Sequence, residues 1–133
     1  NLRTEFCRSF LDFSRQRSAG ENVKHMHVSH SQGGIQAKHA LTNLPKPIQQ
    51  HIEIFNINGG KIVPGKYCSS ASNIQSSRDF VSLSDLGGQI QYRDQIQVIK
   101  AHPDASWIDH AISSPTVTEP LESKLNDFTN LYK

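Results

Sequence analysis

The stretch Val28-Ser29-His30-Ser31-Gln32-Gly33-Gly34 decides how the rest of this sequence is interpreted. The segment that leads into it, residues 23–28, is short and is bounded by turn residues. This pattern predicts a strand. The residues that follow predict a helix whose apolar face comprises Ile35, Ala37, Ala40, Leu41 and Leu44. Pro45 and Pro47 end that helix, because proline lacks a backbone donor and restricts the residue before it. A strand therefore passes directly into a helix through a short turn.

This strand–turn–helix context is the one that a nucleophile elbow of the G-x-S-x-G type requires. The nucleophile, here Ser31, has a strained backbone at such a turn, and its hydroxyl stands clear of the sheet. The side chains two positions before and after it approach each other, so Ser29 and Gly33 must be small, and Gly34 adds a second glycine. The backbone N–H of Gln32, at the helix start, is suited to donate to an oxyanion. The sequence departs from the commonest pattern in having Ser29 where a glycine usually stands.

Composition and charge exclude several classes of function. The chain has 133 residues, which suits one domain, and its 14 basic and 12 acidic residues leave a net charge of +2 with histidine neutral. No basic stripe or charged tail is present, so the sequence predicts no nucleic-acid partner. No window approaches the roughly 18 apolar residues that a membrane helix needs, so no transmembrane segment is expected.

The cysteine and histidine patterns predict neither a metal site nor a cofactor. Cys7 and Cys68 lie far apart and form no CxxC pair. Among the seven histidines, His25 and His27 share one face of the first predicted strand, a spacing that a metal can use. No HExxH motif, carboxylate-rich partner or cysteine pair accompanies them, so partly buried histidines on a sheet are the favoured interpretation.

The order of the predicted elements indicates the fold class. An amphipathic helix opens the chain, with an apolar face of Leu2, Phe6, Phe10 and Phe13. Three further strands are predicted at 51–57, near 72–77 and at 95–100. A last amphipathic helix follows, with Thr118 as its N-cap and an apolar face of Val117, Leu121, Leu125, Phe128 and Tyr132. This alternation predicts an α/β fold with a mostly parallel sheet of about four strands flanked by helices.

A serine nucleophile needs a base and an orienting acid. In folds with this elbow, the acid and then the histidine follow the serine along the chain. Asp79 is expected in a loop at the carboxyl end of the third strand, and Asp85 is a reserve acid. The loop before the last helix contains two candidate bases, His102 and His110.

Three segments together resemble a known family. They read S-H-S-Q-G-G at 29–34, S-R-D-F-V-S at 77–82 and H-P-D-A-x-x-x-D-H-x-x-x-S-P-T at 102–116. They resemble an uncharacterised family of chlamydial proteins, which are themselves similar to lipase-type α/β-hydrolases. The resemblance spans 26–121 and implies Ser31 as the nucleophile, Asp79 as the acid and His110 as the base. His102 fits less well, because it lies too close to the end of the preceding strand.

The resemblance implies the C-terminal half of an α/β-hydrolase fold. Such a fold has several strands before the nucleophile, whereas here one helix precedes the elbow strand. We therefore expect residues 1–133 to form a single domain that is a fragment without the N-terminal strands and without the loop that supplies another oxyanion N–H. A half sheet exposes an edge, which favours a homodimer or docking to the missing half. The bacterial cytoplasm is the default location, with secretion into a host cell as the alternative.

Two functions follow from these expectations. The first is a serine hydrolase without a cofactor, which cleaves an ester or thioester bond in a small acyl ester, lipid or thioester. The second is a non-catalytic interaction module on the same α/β-hydrolase fold. Each candidate residue also has a purely structural interpretation. Ser31 is then a polar turn residue, Asp79 pairs with Arg78, and His110 is a packed histidine whose ring Asp109 fixes.

Overall fold

A computed structural model of the chain describes residue 12 and residues 24–131. At its centre lies a four-stranded sheet of strand order β1-β2-β3-β4, in which every neighbouring pair is parallel. The strands are β1 His25–His30, β2 Ile52–Ile57, β3 Ser70–Ser76 and β4 Ile96–Ile99. The predicted α/β class, with its mostly parallel sheet of about four strands, is confirmed. The predicted N-terminal helix lies outside the described residues, Asp12 excepted.

Within residues 24–131, four helices accompany the sheet. They are α1 Gln32–Thr42, α2 Lys46–Gln49, α3 Leu86–Gln91 and α4 Pro115–Leu131. Short 3₁₀ segments lie at Gly65–Tyr67, Val81–Asp85 and Arg93–Gln95. In the part of the chain that the structure describes, no helix has the length and apolar character that crossing a bilayer requires.

The two faces of the sheet are covered by different helices. The face that α1 covers has a buried core of Ala37, Leu41, Ile52, Ile54 and Val63. The face that α4 covers has a buried core of Phe55, Ile57, Ile74 and Val117. Because successive strand side chains point to opposite faces, β2 contributes apolar residues to both cores. This explains why β2 is the most continuously apolar strand, as strands buried on both faces are.

The last helix begins earlier than predicted. Helix α4 starts at Pro115, so the prediction of Thr118 as its N-cap is wrong. The hydroxyl of Thr118 instead donates to the carbonyl of Ser114, 2.9 Å away, within the first turn. Proline is favoured at the first helical position because its fixed φ suits a helix and its missing N–H is not needed there.

Sequence periodicity does not predict α3. Its six residues include two glycines, and its apolar side chains Leu86 and Ile90 are exposed, so no apolar face is recognisable. The helix is held at its start by Asp85, whose carboxylate accepts the N–H of Gly88 at 3.3 Å. Capping of this kind compensates for the low helix propensity of glycine.

Two histidines on β1 make the stability of the fold depend on pH. The rings of His25 and His27 lie 6.2 Å apart and nearly parallel. Burial, together with the nearby charge of His25, lowers the pKa of His27 from 6.5 to about 4. Burial also lowers the pKa of His25. As the pH falls below 6.5, the unfolded chain therefore binds a proton at His27 that the folded chain does not bind, and the folded state loses stability.

We expect His27 alone to lower the free energy of unfolding by up to about 3 kcal/mol between pH 6.5 and 4, at about 1.36 kcal/mol per pH unit, and His25 to add to this loss. The stabilisation is fully present above pH 6.5. Chemical denaturation at a series of pH values measures it. His27→Gln should make the slope shallower by the contribution of His27, whereas His39→Gln, at an exposed position of α1, should leave it unchanged. An unchanged slope in His27→Gln would contradict the assignment.

Candidate active site

Ser31 lies at the sharp turn between β1 and α1, with a left-handed backbone of φ 55° and ψ −122°. Side chains other than glycine rarely adopt such a φ, and the conformation costs on the order of 1–3 kcal/mol. Three backbone hydrogen bonds hold it. The Ser31 N–H donates to Ile57 O at 3.3 Å, and the Ser31 carbonyl accepts from Gly60 N at 2.7 Å and Gly34 N at 3.1 Å. The turn is thus attached to the end of β2 and to the loop after it.

The glycines of the turn have different roles. A β-carbon at Gly33 would lie 3.6 Å from the β-carbon of Ser29, an ordinary contact. A β-carbon at Gly34 would lie 2.7 Å from Oδ1 of Asn56 and 3.1 Å from the carbonyl oxygen of Lys61. The position that close approach reserves for glycine is therefore Gly34, while position 33 needs only a small residue.

A row of buried polar side chains supports the turn from below. Ser29 Oγ donates to Asn56 Oδ1 at 2.8 Å, and Asn56 Nδ2 donates to Asn73 Oδ1 at 3.0 Å. These three residues lie side by side on β1, β2 and β3. The Asn56 amide also donates to the carbonyl of Lys61, and the Asn73 amide to that of Val63. Because buried polar groups are costly when unpaired, this row holds the loop after β2 in one position beneath Gly34.

Asp79 lies just beyond the carboxyl end of β3, with a fully buried carboxylate. Its oxygens accept from the N–H groups of Val81 at 3.2 Å and Ser82 at 3.3 Å. Among the described residues, it forms no ion pair with its neighbour Arg78. The structural interpretation of Asp79 as the partner of Arg78 is therefore wrong.

The ring of His110 lies between Ser31 and Asp79. Its Nδ1 is 2.7 Å from Asp79 Oδ1, and its Nε2 is 2.8 Å from Ser31 Oγ. Since a carboxylate can only accept, Nδ1 bears the hydrogen, and Nε2 is left to accept the hydroxyl hydrogen of Ser31. The structure thus brings together Ser31, His110 and Asp79 in a continuous hydrogen-bonded row.

The backbone of His110 is held by two residues that sequence reasoning missed. Its carbonyl accepts from Nε2 of His30 at 2.5 Å and from Nδ2 of Asn58 at 3.3 Å. Asn58 is fully buried, adopts a φ of 45° and accepts the N–H of Ser76 at 2.9 Å. The sequence marks Asn58-Gly59-Gly60 as a turn, and nothing in it indicates a contact 52 residues away.

The reserve candidates lie elsewhere. His102 is exposed, its Nδ1 accepts the N–H of Asp104 at 3.1 Å, and it makes no described contact with Ser31. The carboxylate of Asp85 accepts from Lys61 Nζ and from the N–H of Ile62, both at 2.9 Å. Burial favours a higher pKa for Asp85, but these hydrogen bonds outweigh it and hold the pKa below its usual range. Asp85 therefore anchors α3 to the loop after β2.

Two further groups complete the surroundings of Ser31. Gln32, the first residue of α1, has a backbone N–H for which the described residues offer no acceptor, as expected at a helix start. Phe80, which follows Asp79, and Trp107, in the His110 loop, contact each other with ring centroids 6.3 Å apart. They are 52% and 77% exposed, so the pair forms an exposed apolar rim that directly follows Asp79 in the chain and includes part of the loop with His110.

Other chemistries have little support in the described part of the chain. Burial raises the pKa of the Cys68 thiol to about 11, so the thiolate needed for nucleophilic attack is scarce at neutral pH. Within residues 24–131, no group of three or more His, Cys, Asp or Glu side chains is arranged to hold a metal ion.

Comparison of the chain with protein-family models, with curated proteins and with solved structures finds no match.

Proposed function

We propose that the chain is a serine hydrolase that cleaves an ester or thioester bond, with Ser31 as nucleophile, His110 as general base and Asp79 as orienting acid. The single observation that supports this most is the row Asp79–His110–Ser31, with both distances at hydrogen-bond length. A nucleophile in contact with a base, and a base oriented by a third group, is the arrangement that activates a serine hydroxyl.

The reaction proceeds in two halves. Ser31 Oγ attacks the acyl carbon while its proton passes to His110 Nε2, and the carbonyl oxygen becomes an oxyanion that accepts from the Gln32 N–H. The bond to the leaving alcohol or thiol then breaks, and that group takes the proton from Nε2. Water, deprotonated by His110, attacks the acyl-serine ester, releases the acid and restores the Ser31 hydroxyl.

The burial of Asp79 supports its proposed role. When His110 takes the proton it becomes an imidazolium, and the Asp79 carboxylate 2.7 Å from Nδ1 stabilises that charge. Because the Asp79 side chain is inaccessible to solvent, water does not screen this interaction at the carboxylate. The two backbone N–H groups of Val81 and Ser82 keep the carboxylate oriented towards the ring.

The finer assignment, that of the C-terminal half of a lipase-type α/β-hydrolase, is part of the same proposal. Three observations support it: the parallel order β1-β2-β3-β4, the left-handed Ser31 between β1 and α1, and the chain order Ser, Asp, His. The exposed rim of Phe80 and Trp107 is compatible with an apolar acyl group in the substrate.

Covalent labelling with a fluorophosphonate tests the proposal. We expect one adduct by intact mass, mapped to the peptide that contains Ser31 and absent from Ser31→Ala and from unfolded protein. Ser106→Ala removes an exposed serine of the His110 loop and should be labelled as wild type is. Absence of an adduct on the folded chain, or labelling that persists in Ser31→Ala, would contradict a serine hydrolase.

A non-catalytic interaction module on this scaffold is the second candidate. It is favoured by the position of β1 at the end of the strand order, where within residues 24–131 it pairs as a strand with β2 alone, and by Gln32 as the single oxyanion donor identified in that range. Under this alternative, the wild-type chain folds but is not labelled by the fluorophosphonate. Ser31→Ala then binds the partner as the wild type does.

A further inference from the structure

The loop that contains His110 has a charged residue as its buried anchor. Between Ala101 and Ser114, every residue except Asp109 is exposed or partly exposed, whereas Asp109 is 1% exposed. Loops are usually anchored by apolar side chains, because an ionised carboxylate is costly to bury without hydrogen-bond donors. The position of Asp109 immediately before His110 makes its environment relevant to the site.

Three hydroxyl groups surround the Asp109 carboxylate. Oδ2 accepts from Ser76 Oγ at 2.5 Å and from Thr116 Oγ1, and Oδ1 accepts from Ser114 Oγ. Ser76 belongs to β3, whereas Ser114 and Thr116 lie at the start of α4. A single side chain therefore joins the end of the sheet to the start of the last helix.

The backbone around Asp109 is held as firmly. Its N–H donates to the carbonyl of Arg78 at 3.3 Å, next to Asp79. Its carbonyl accepts from Asn58 Nδ2 at 3.2 Å. The peptide that leads into His110 is thus attached to the loop that holds Asp79, while the carboxylate points away from the imidazole into the hydroxyl cluster. The interpretation in which Asp109 itself fixes the His110 ring is wrong, since Asp79 contacts that ring.

We propose that Asp109 is a positioning residue, which sets the backbone of His110 so that one imidazole reaches both Ser31 Oγ and Asp79 Oδ1. The expected effect on rate rests on the proposed function. The position of the His110 ring, which Asp109 is proposed to set, can be measured whether or not the protein is active. A ring that must meet two partners, at 2.7 and 2.8 Å, tolerates little displacement of its backbone. Misplacement by about 1 Å can lower a rate about a hundredfold.

The negative charge of Asp109 suits this role. Burial favours a higher pKa for Asp109, but the hydrogen bonds from Ser114, Ser76 and Thr116, and the nearby charge of Arg78, outweigh it and keep the pKa below its usual value. The carboxylate therefore stays ionised at neutral pH and accepts all three hydroxyl hydrogens. Hydrogen bonds to an ionised acceptor are about twice as strong as neutral ones.

The test compares Asp109→Ala with Asp104→Ala, which removes an exposed carboxylate from the same loop. The first measurement is the low-field proton NMR signal of the His110 Nδ1–H···Asp79 hydrogen bond, assigned by its loss in His110→Gln. We expect Asp109→Ala to lose this signal, and kcat to fall about a hundredfold with KM unchanged, at temperatures where the variant is fully folded. Asp104→Ala should match the wild type in both measurements.

A purely structural role predicts a different result. If Asp109→Ala melts at a lower temperature but keeps the proton signal and kcat below that temperature, the inference is overturned. If Asp109→Ala does not fold, Thr116→Val and Ser114→Ala provide the test, because each removes one hydroxyl donor to Asp109. Each should weaken the NMR signal. An unchanged signal in both variants also overturns the inference. If the wild-type protein shows the NMR signal but has no activity, the hydrolase proposal is contradicted. The NMR signal of Asp109→Ala then decides by itself whether Asp109 positions His110.

Discussion

Under the proposed function, replacing His110 by alanine should lower kcat for ester hydrolysis by a factor on the order of 10⁶, as loss of the base does in serine hydrolases. The reason is that the Ser31 hydroxyl has one described base within hydrogen-bond reach, at 2.8 Å. Without the imidazole the serine stays a neutral alcohol, which is a poor nucleophile at neutral pH. Two measurements test this: fluorophosphonate labelling at Ser31 and turnover of a short-chain ester. Both should be lost in His110→Ala.

The matched control is His102→Ala. His102 belongs to the same loop but is exposed and does not contact Ser31, so we expect labelling and turnover to be unchanged. The double variant Ser31→Ala/His110→Ala should be no slower than either single variant, because the two groups act as one unit. Unimpaired labelling in His110→Ala, or a loss confined to His102→Ala, would reassign the base.

Asp79→Asn should lower kcat by about 10⁴-fold while leaving the fold nearly unchanged in shape. The amide of an asparagine can donate to His110 Nδ1, which places the ring hydrogen on Nε2. That tautomer points a donor at Ser31 Oγ and cannot accept its proton. The effect is thus on the tautomer rather than on the position of the ring.

Asp104→Asn, in the exposed part of the His110 loop, is the control for this substitution and should behave as the wild type does. The rates are compared over a range of pH, and the thermal midpoints of the variants show whether each is folded. A kcat for Asp79→Asn equal to that of the wild type would exclude Asp79 as the orienting acid. If the activity of Asp79→Asn falls only in proportion to the fraction of folded protein, the role of Asp79 is structural.

The strand, turn and helix around Ser31 are local features, which is why the sequence predicts them well. The helix begins at Gln32, as predicted, and the strand spans His25–His30 rather than 23–28, a small difference at its ends. Alternation of apolar residues and the two glycines act over a few positions, so their effect is visible without knowledge of the rest of the chain. The same holds for β2, whose β-branched residues predict a buried strand.

The start of α4 shows where local rules compete. Thr118 is a good capping residue by type, but the helix begins at Pro115, and proline at the first helical position is also a local signal. The hydrogen bonds from Ser114 and Thr116 to Asp109 support this start, and they depend on the fold of the preceding loop. The glycines of the turn make the same point, since only the packing of Asn56 shows that Gly34 is the position without room for a β-carbon.

By itself, the sequence determined the α/β class, the parallel sheet, the small-residue turn at Ser31 and the order of a serine, an acid and a histidine along the chain. The resemblance pointed to Asp79 and His110, but only the tertiary structure decided that these two side chains meet each other and Ser31, and that Asn58, His30 and Asp109 hold the loop that contains His110. The physical reason is distance along the chain. Ser31 and His110 are 79 residues apart, and Asp79 and His110 are 31 residues apart. Contacts of that range form where the carboxyl ends of parallel strands gather at one edge of a sheet, and they depend on how all the strands pack rather than on any local pattern.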